Sequence, residues 1–91
     1  MRDQPITIQL VTAPSCAHCR KAQKIIADTV DALGREYPIA YSELELTEHP
    51  EFLDQYDIWG TPALIIDDEL VFVGKVDEQQ LREKLADVAG R

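Results

Sequence analysis

The chain has 91 residues, 45% of them hydrophobic, 7% aromatic and 29% charged, the composition of one ordinary globular domain and not of a disordered or fibrous chain. Nine basic against 17 acidic residues leave a formal net charge of −8, a field that disfavours nucleic acid and anionic lipid, since both demand clustered Lys and Arg. No apolar run approaches the ~20 residues that span a bilayer, and Met1-Arg2-Asp3-Gln4-Pro5 leads into the first strand without the apolar core of a secretory leader.

No repeat or linker-like tract interrupts the chain, so residues 1–5 are expected to form a tail and 6–91 one domain. Ile6-Thr7-Ile8-Gln9-Leu10-Val11-Thr12 is β-branched and partly alternating, and predicts a strand that ends at Ala13-Pro14. Cys19, Ala22, Ile25, Ile26, Thr29, Val30 and Leu33 recur at helical spacing, with Gly34 as the stop. Ile39 to Leu46 is a second strand. Pro50 suits the first turn of a short helix through Phe52, Leu53 and Tyr56, with His49 in the capping position before it. Ala63-Leu64-Ile65-Ile66 is a buried strand, Asp67-Asp68-Glu69 a tight solvated turn, and Leu70-Val71-Phe72-Val73 the returning strand of a hairpin. Asp77, with Gln80 three residues on, predicts a capped helix that buries Leu81, Leu85 and Val88. The resulting β-α-β-α-β-β-α order predicts an α/β fold: a right-handed crossover between two parallel strands, an antiparallel hairpin, and a four-stranded mixed sheet in order 2-1-3-4. Three helices flank it, the first and last on one face and the short middle one on the other. Covered on both faces, the central strands need apolar residues at nearly every position, as in Ala63 to Ile66.

The only cysteines are Cys16 and Cys19. Spaced so closely they seal almost no loop and cannot act as a structural staple, which leaves redox chemistry or metal binding. They sit where the first strand hands over to the first helix. A thiol there faces unpaired backbone N–H groups and the positive end of the helix dipole, both of which favour thiolate. Cys16 is the expected attacking sulfur. Cys19, one turn inward, is placed to attack the mixed disulfide that Cys16 forms. A metal site wants four ligands, whereas Cys16, His18 and Cys19 supply at most three from one turn and His49 is remote; neither metal nor cofactor is expected. The alternative, from a different functional class, is a binding module that holds a metal ion or docks on a partner without turnover.

Cys16-Ala17-His18-Cys19 after the first strand, together with the run from His49-Pro50-Glu51-Phe52 to Trp59-Gly60-Thr61-Pro62-Ala63-Leu64, resembles the thioredoxin/glutaredoxin superfamily. The resemblance covers nearly the whole chain, in a minimal form without the extra N-terminal strand and helix of full thioredoxins. It implies a cis peptide at Thr61-Pro62 facing the active-site disulfide, with the Thr61 backbone pairing an extended substrate. It also implies that Gly74 lets the backbone lie near the site. Trp59 is either an apolar patch beside the dithiol or a core residue. The implied partners are disulfide-containing proteins, with a thioredoxin reductase-like enzyme or glutathione as electron donor, and the implied activity is thiol–disulfide exchange by a cytoplasmic monomer.

Several positions depart from the family pattern. His18 stands where thioredoxins have proline; an imidazole beside the thiolate stabilises it and makes the pair more oxidising, unless the ring is simply solvated. Leu10 and Glu43 occupy the positions of a buried Asp and a Lys, so the proton acceptor for the resolving cysteine is either absent or supplied by Glu43. Gly74-Lys75-Val76-Asp77 keeps one glycine and an acid of the glutaredoxin glutathione site, which leaves glutathione binding open. Arg20, Lys21 and Lys24 follow the thiols closely, and form either a positive field for acidic partners or a solvated helix face.

Overall fold

Strand β1 (Ile6–Thr12) is hydrogen-bonded along both edges. Parallel β2 (Ile39–Glu45) pairs with it from Ile6↔Ile39 through Thr12↔Glu45, and antiparallel β3 (Ala63–Ile66) pairs with it from Val11↔Ala63 to Ile8↔Ile66. β4 (Glu69–Val73) returns antiparallel to β3, giving the order β2-β1-β3-β4. The helices are α1 (Ala17–Leu33), α2 (Glu51–Gln55) and α3 (Glu78–Ala89). This is a computed structural model, and it describes residues 4–14, 16–56, 58 and 60–90. Element order and sheet order are those expected from the sequence.

Side chains of β1 divide between two cores. Ile6, Ile8 and Leu10, with Leu64 and Ile66 of β3, pack against Ala22 and Ile26 of α1 and Leu81, Leu85 and Val88 of α3. Val11, with Ala63 and Ile65, faces the other way, against Phe52 of α2 and Ile58. Fully burying an aliphatic side chain stabilises by about 1.5–3 kcal/mol, so the larger cluster under α1 and α3 dominates. α2 has only five residues and covers one end of its face. At the other end Thr7, Gln9, Ala40 and Ser42 line an open cleft of about 240 Å³. For this reason apolar occupancy at every position holds for β3 and fails for β1, whose uncovered positions are polar.

Local chemistry sets the boundaries, and at two places it differs from the sequence expectation. The hairpin turn is two residues, not three: Asp67 (φ 49°) and Asp68 (φ 66°) are both left-handed, as a tight turn matched to the strand twist requires. The Asp67 carboxylate also accepts bonds from the Thr7 N–H (3.0 Å) and hydroxyl (3.3 Å), tying the turn to β1. Glu69 is thereby released into β4, where it pairs with Lys84 of α3. Gly34 is the C-cap at which α1 stops, as expected; it stays right-handed, and in the turn that follows the N–H groups of Glu36 and Tyr37 both donate to the Leu33 carbonyl. The His49 side chain does not cap α2: its ring lies edge-on to Phe52 with Nδ1 3.3 Å from Glu51 Oε1, and only its carbonyl accepts the Phe52 N–H. Asp77 does cap α3, accepting the Gln80 N–H at 2.9 Å.

Asp77→Ala should lower the unfolding free energy by about 1 kcal/mol through the lost cap, and Leu85→Ala by about 2–5 kcal/mol through the cavity left in the larger core. Urea denaturation measures both; equal losses would contradict this division.

Candidate active site

The register gathers four strand ends. Thr12 at the end of β1 lies beside Glu45 at the end of β2, while Ala63 at the start of β3 lies beside both Val11 and Val73 at the end of β4. α1 starts at the same place. Cys16 is its N-cap, with extended backbone (φ −85°, ψ 107°) and no side-chain capping bond, and the first turn contains no acidic residue. The positive end of a 17-residue helix therefore meets Cys16 without an opposing charge.

Cys16 and Cys19 form a disulfide, with Cα atoms 5.4 Å apart. The Cys19 N–H donates to the Cys16 carbonyl at 3.4 Å. Cys16 is half-buried, whereas Cys19 is only 5% exposed. Both line an open groove of about 540 Å³, together with Thr12, Ala13, Ala17, Arg20 and Gln23. An incoming disulfide thus has a route to Cys16, and Cys19 sits behind it.

The other residues singled out from the sequence fall around this centre. The Thr61–Pro62 peptide is cis. Pro62 is buried, and its carbonyl accepts the Gly74 N–H at 2.8 Å, fastening the end of β4 to the start of β3. Gly74 has φ 88°, where a side chain would be strained, so glycine is required there. Thr61 and Pro62 share the dithiol's end of the sheet but do not line its groove. Trp59 lies outside the described residues. His18 is exposed on a different flank of α1, where it lines a cavity of about 150 Å³ with Lys21, Ala22, Lys75 and Val76.

Leu10 is fully buried, and Glu43 is its register partner on β2. Glu43 itself is exposed and accepts a 2.7 Å bond from Gln23 Nε2. It thus touches the groove only through Gln23, a residue the sequence reading passed over. The signal was available: Gln23 follows Cys19 by four residues and so continues the same helix face. Two residues before Glu43, the Tyr41 hydroxyl is buried with no hydrogen-bond partner. Burial first, and then the negative charge of Glu43, push its phenol above the ordinary value of 10.0. Among the described residues no three His, Cys, Asp or Glu side chains are grouped to hold a metal ion, and no helix is long and apolar enough to cross a membrane.

The protein-family model described as a thioredoxin domain matches residues 6–86. The chain belongs to the thioredoxin family. It is 31% identical over 88 residues to a probable thioredoxin of Archaeoglobus fulgidus, covering 93% of this chain and 91% of that one. With a thioredoxin of Methanocaldococcus jannaschii it shares 24% over 80 residues, 88% and 92% of the two chains. The crystal structure of chloroplastic thioredoxin z matches with a TM-score of 0.79 at 14% identity, over 98% of this chain and 82% of that one, and so shares the fold. Within this thioredoxin-family frame the Cys16–Cys19 disulfide is a redox pair of the CxxC type.

The raised phenol gives a test of the Tyr41 environment. Below pH 10 neither the folded nor the unfolded phenol is ionised, and its contribution to stability is constant. Above that the unfolded phenol loses its proton while the folded one keeps it, so stability falls as pH rises. Tyr41→Phe should be at least as stable as the parent at neutral pH, because the buried hydroxyl it removes is unpaired, and should show a shallower fall from about pH 10 upward. Denaturation midpoints against pH measure both; parallel curves would contradict the burial.

Proposed function

We propose that the chain is a thiol–disulfide oxidoreductase in which Cys16 is the nucleophile and Cys19 the resolving thiol. The observation that carries this is the Cys16–Cys19 pair at the start of α1, both on one open groove, with Cys16 half-buried and Cys19 only 5% exposed. In the reduced protein the uncompensated helix dipole favours the Cys16 thiolate. That thiolate attacks one sulfur of a partner's disulfide; the partner's S–S bond breaks, and the departing sulfur takes up a proton. Cys19 then gives up its proton and attacks Cys16, the mixed disulfide breaks, and the partner's second thiol leaves. Two electrons and two protons have passed to the partner, and the Cys16–Cys19 disulfide remains for a thiol reductant to reopen.

Disulfide-containing proteins are the proposed substrates, with a thioredoxin reductase-like enzyme or glutathione as donor. The Thr61 backbone, beside Pro62 and Gly74, is the proposed seat for an extended substrate, which its place at the dithiol's end of the sheet supports. His18, one residue before Cys19, adds positive charge near the thiolate whenever its ring is protonated. A cytoplasmic monomer working as a reductant, with residues 6–91 as its working unit and 1–5 as a tail, completes the reading. It suits a chain whose only two cysteines form the active pair.

Cys16→Ser should abolish reduction of insulin followed by turbidity, and Cys19→Ser should accumulate a mixed disulfide with insulin that non-reducing gels resolve. Retained turnover in the first variant would remove the assignment. Glu43 is the proposed proton acceptor for Cys19, taking the proton through solvent in the groove while the bond from Gln23 fixes its position. Glu43→Gln should slow release of the mixed disulfide by about tenfold, below the usual range of about 10²–10⁴-fold for general base catalysis because the carboxylate is exposed and indirect, and should leave the first attack unchanged. Stopped-flow separation of the two phases decides it.

A further inference from the structure

We infer that the dithiol is equipped to engage target disulfides flanked by carboxylates, through three cations, Arg20, Lys21 and Lys75. The inference rests on the exchange reaction proposed above and names the class of protein substrate it serves.

The first observation is where positive charge lies on a molecule of net charge −8. Among the described residues, Lys24, Arg82 and Lys84 are held in ion pairs with Asp28, Glu78 and Glu69. Arg20, Lys21 and Lys75 have no ion-pair partner among the described residues, and they lie about the start of α1, on two of its flanks. Arg20 lines the groove with Cys16 and Cys19, while Lys21 and Lys75 line the neighbouring cavity with His18. Arg35, also without a partner, lies beyond the opposite end of α1.

The second observation is that Arg20 places a cation in the first turn of α1, where the helix dipole opposes it. Acidic side chains are favoured in a first turn and cations disfavoured, because the helix N-terminus is already positive. α2 and α3 follow that rule, with Glu51 and Glu78 in their first turns. α1 has no acidic residue in its first turn, and its first acid of any kind is Asp28. Lys75 joins from the loop between β4 and α3, so two elements distant in sequence place cations around one cavity. Asp77, which caps α3, Glu43, which accepts from Gln23, and Glu45, beside Thr12 and accepting from Thr47, keep their negative charge, but no ion pair among the described residues joins them to these cations. A merely solvated helix face would pair its charges four residues apart, as Lys24 and Asp28 do. Unpaired cations beside an open sulfur instead complement an acidic segment next to a partner's disulfide. They also repel a second copy of this acidic chain less than the rest of its surface does, but nothing else favours self-association.

The test uses the reduced full chain and three synthetic peptides, each holding one disulfide flanked by Asp and Glu, by Ser and Gln, or by Lys. Neutral dithiodipyridine reports the reactivity of Cys16 itself. The acidic peptide should react about tenfold faster than the neutral one at low ionic strength, the lower end of electrostatic steering. That ratio should fall towards one in 1 M salt, where screening acts within about 3 Å. Lys21→Gln with Lys75→Gln should cut the acidic-to-neutral ratio to about threefold or less, and Lys75→Glu should move the preference towards the Lys-flanked peptide. Equal rates for the three peptides would overturn the inference. So would variants that slow every reagent alike and leave the ratio untouched, since the cations would then act on the thiolate alone. Failure to react with dithiodipyridine or any peptide would remove the exchange reading, and this inference with it.

Discussion

The backbone ladder on both sides of β1 is the constraint from which the rest follows. Seven residue pairs bind it to β2 and four to β3, so the point where β1 ends is held by two neighbours. Only four positions, 13–16, separate the end of β1 from the start of α1. Cys16 is therefore held at the helix N-terminus by the sheet, and its exposure on the groove is a consequence of where β1 stops. The Thr12, Ala63 and Gly74 ends meet there because parallel and antiparallel pairing bring them to one edge of the sheet.

Stability and chemistry are divided along the same strand. Ile6, Ile8 and Leu10 hold α1 and α3 against the sheet, which fixes the helix that carries the cysteines. The opposite face needs only one end covered, where Val11, Ala63 and Phe52 meet beneath the site. The remainder of that face is polar and open, so a five-residue helix is enough. The helix that does the chemistry is also the one whose first turn lacks acids, whereas α2 and α3 place acids where the dipole favours them. Local stability has been given up at the end of α1 that faces the incoming molecule.

Much of this could be seen in the chain's pattern. The 3.6 spacing of Cys19, Ala22 and Ile26, the unbroken apolar run from Ala63 to Ile66 and the Asp77–Gln80 register each point to one local structure, because the helix and strand periods differ and a cap needs a fixed offset. Where several local solutions had similar energies, the pattern misled. A three-residue turn at 67–69 was reasonable until Thr7 engaged Asp67, and a His49 cap was reasonable until Phe52 offered the ring a contact. The bond from Gln23 to Glu43 joins residues twenty positions apart and depends on how α1 packs on the sheet, so the pattern did not show it.

By itself the sequence determined the order of the elements, the strand-to-helix position of Cys16 and Cys19 and the identity of the buried stripes, because each of these depends on neighbours within a few residues. Only the tertiary structure decided that Cys19 is almost fully covered and Cys16 half-buried on the groove they share, that Gly74 is bonded to Pro62, and that Lys75 shares a cavity with Lys21. Those facts join segments separated by tens of residues. Their relative placement is set by sheet register and helix packing, which no local spacing encodes.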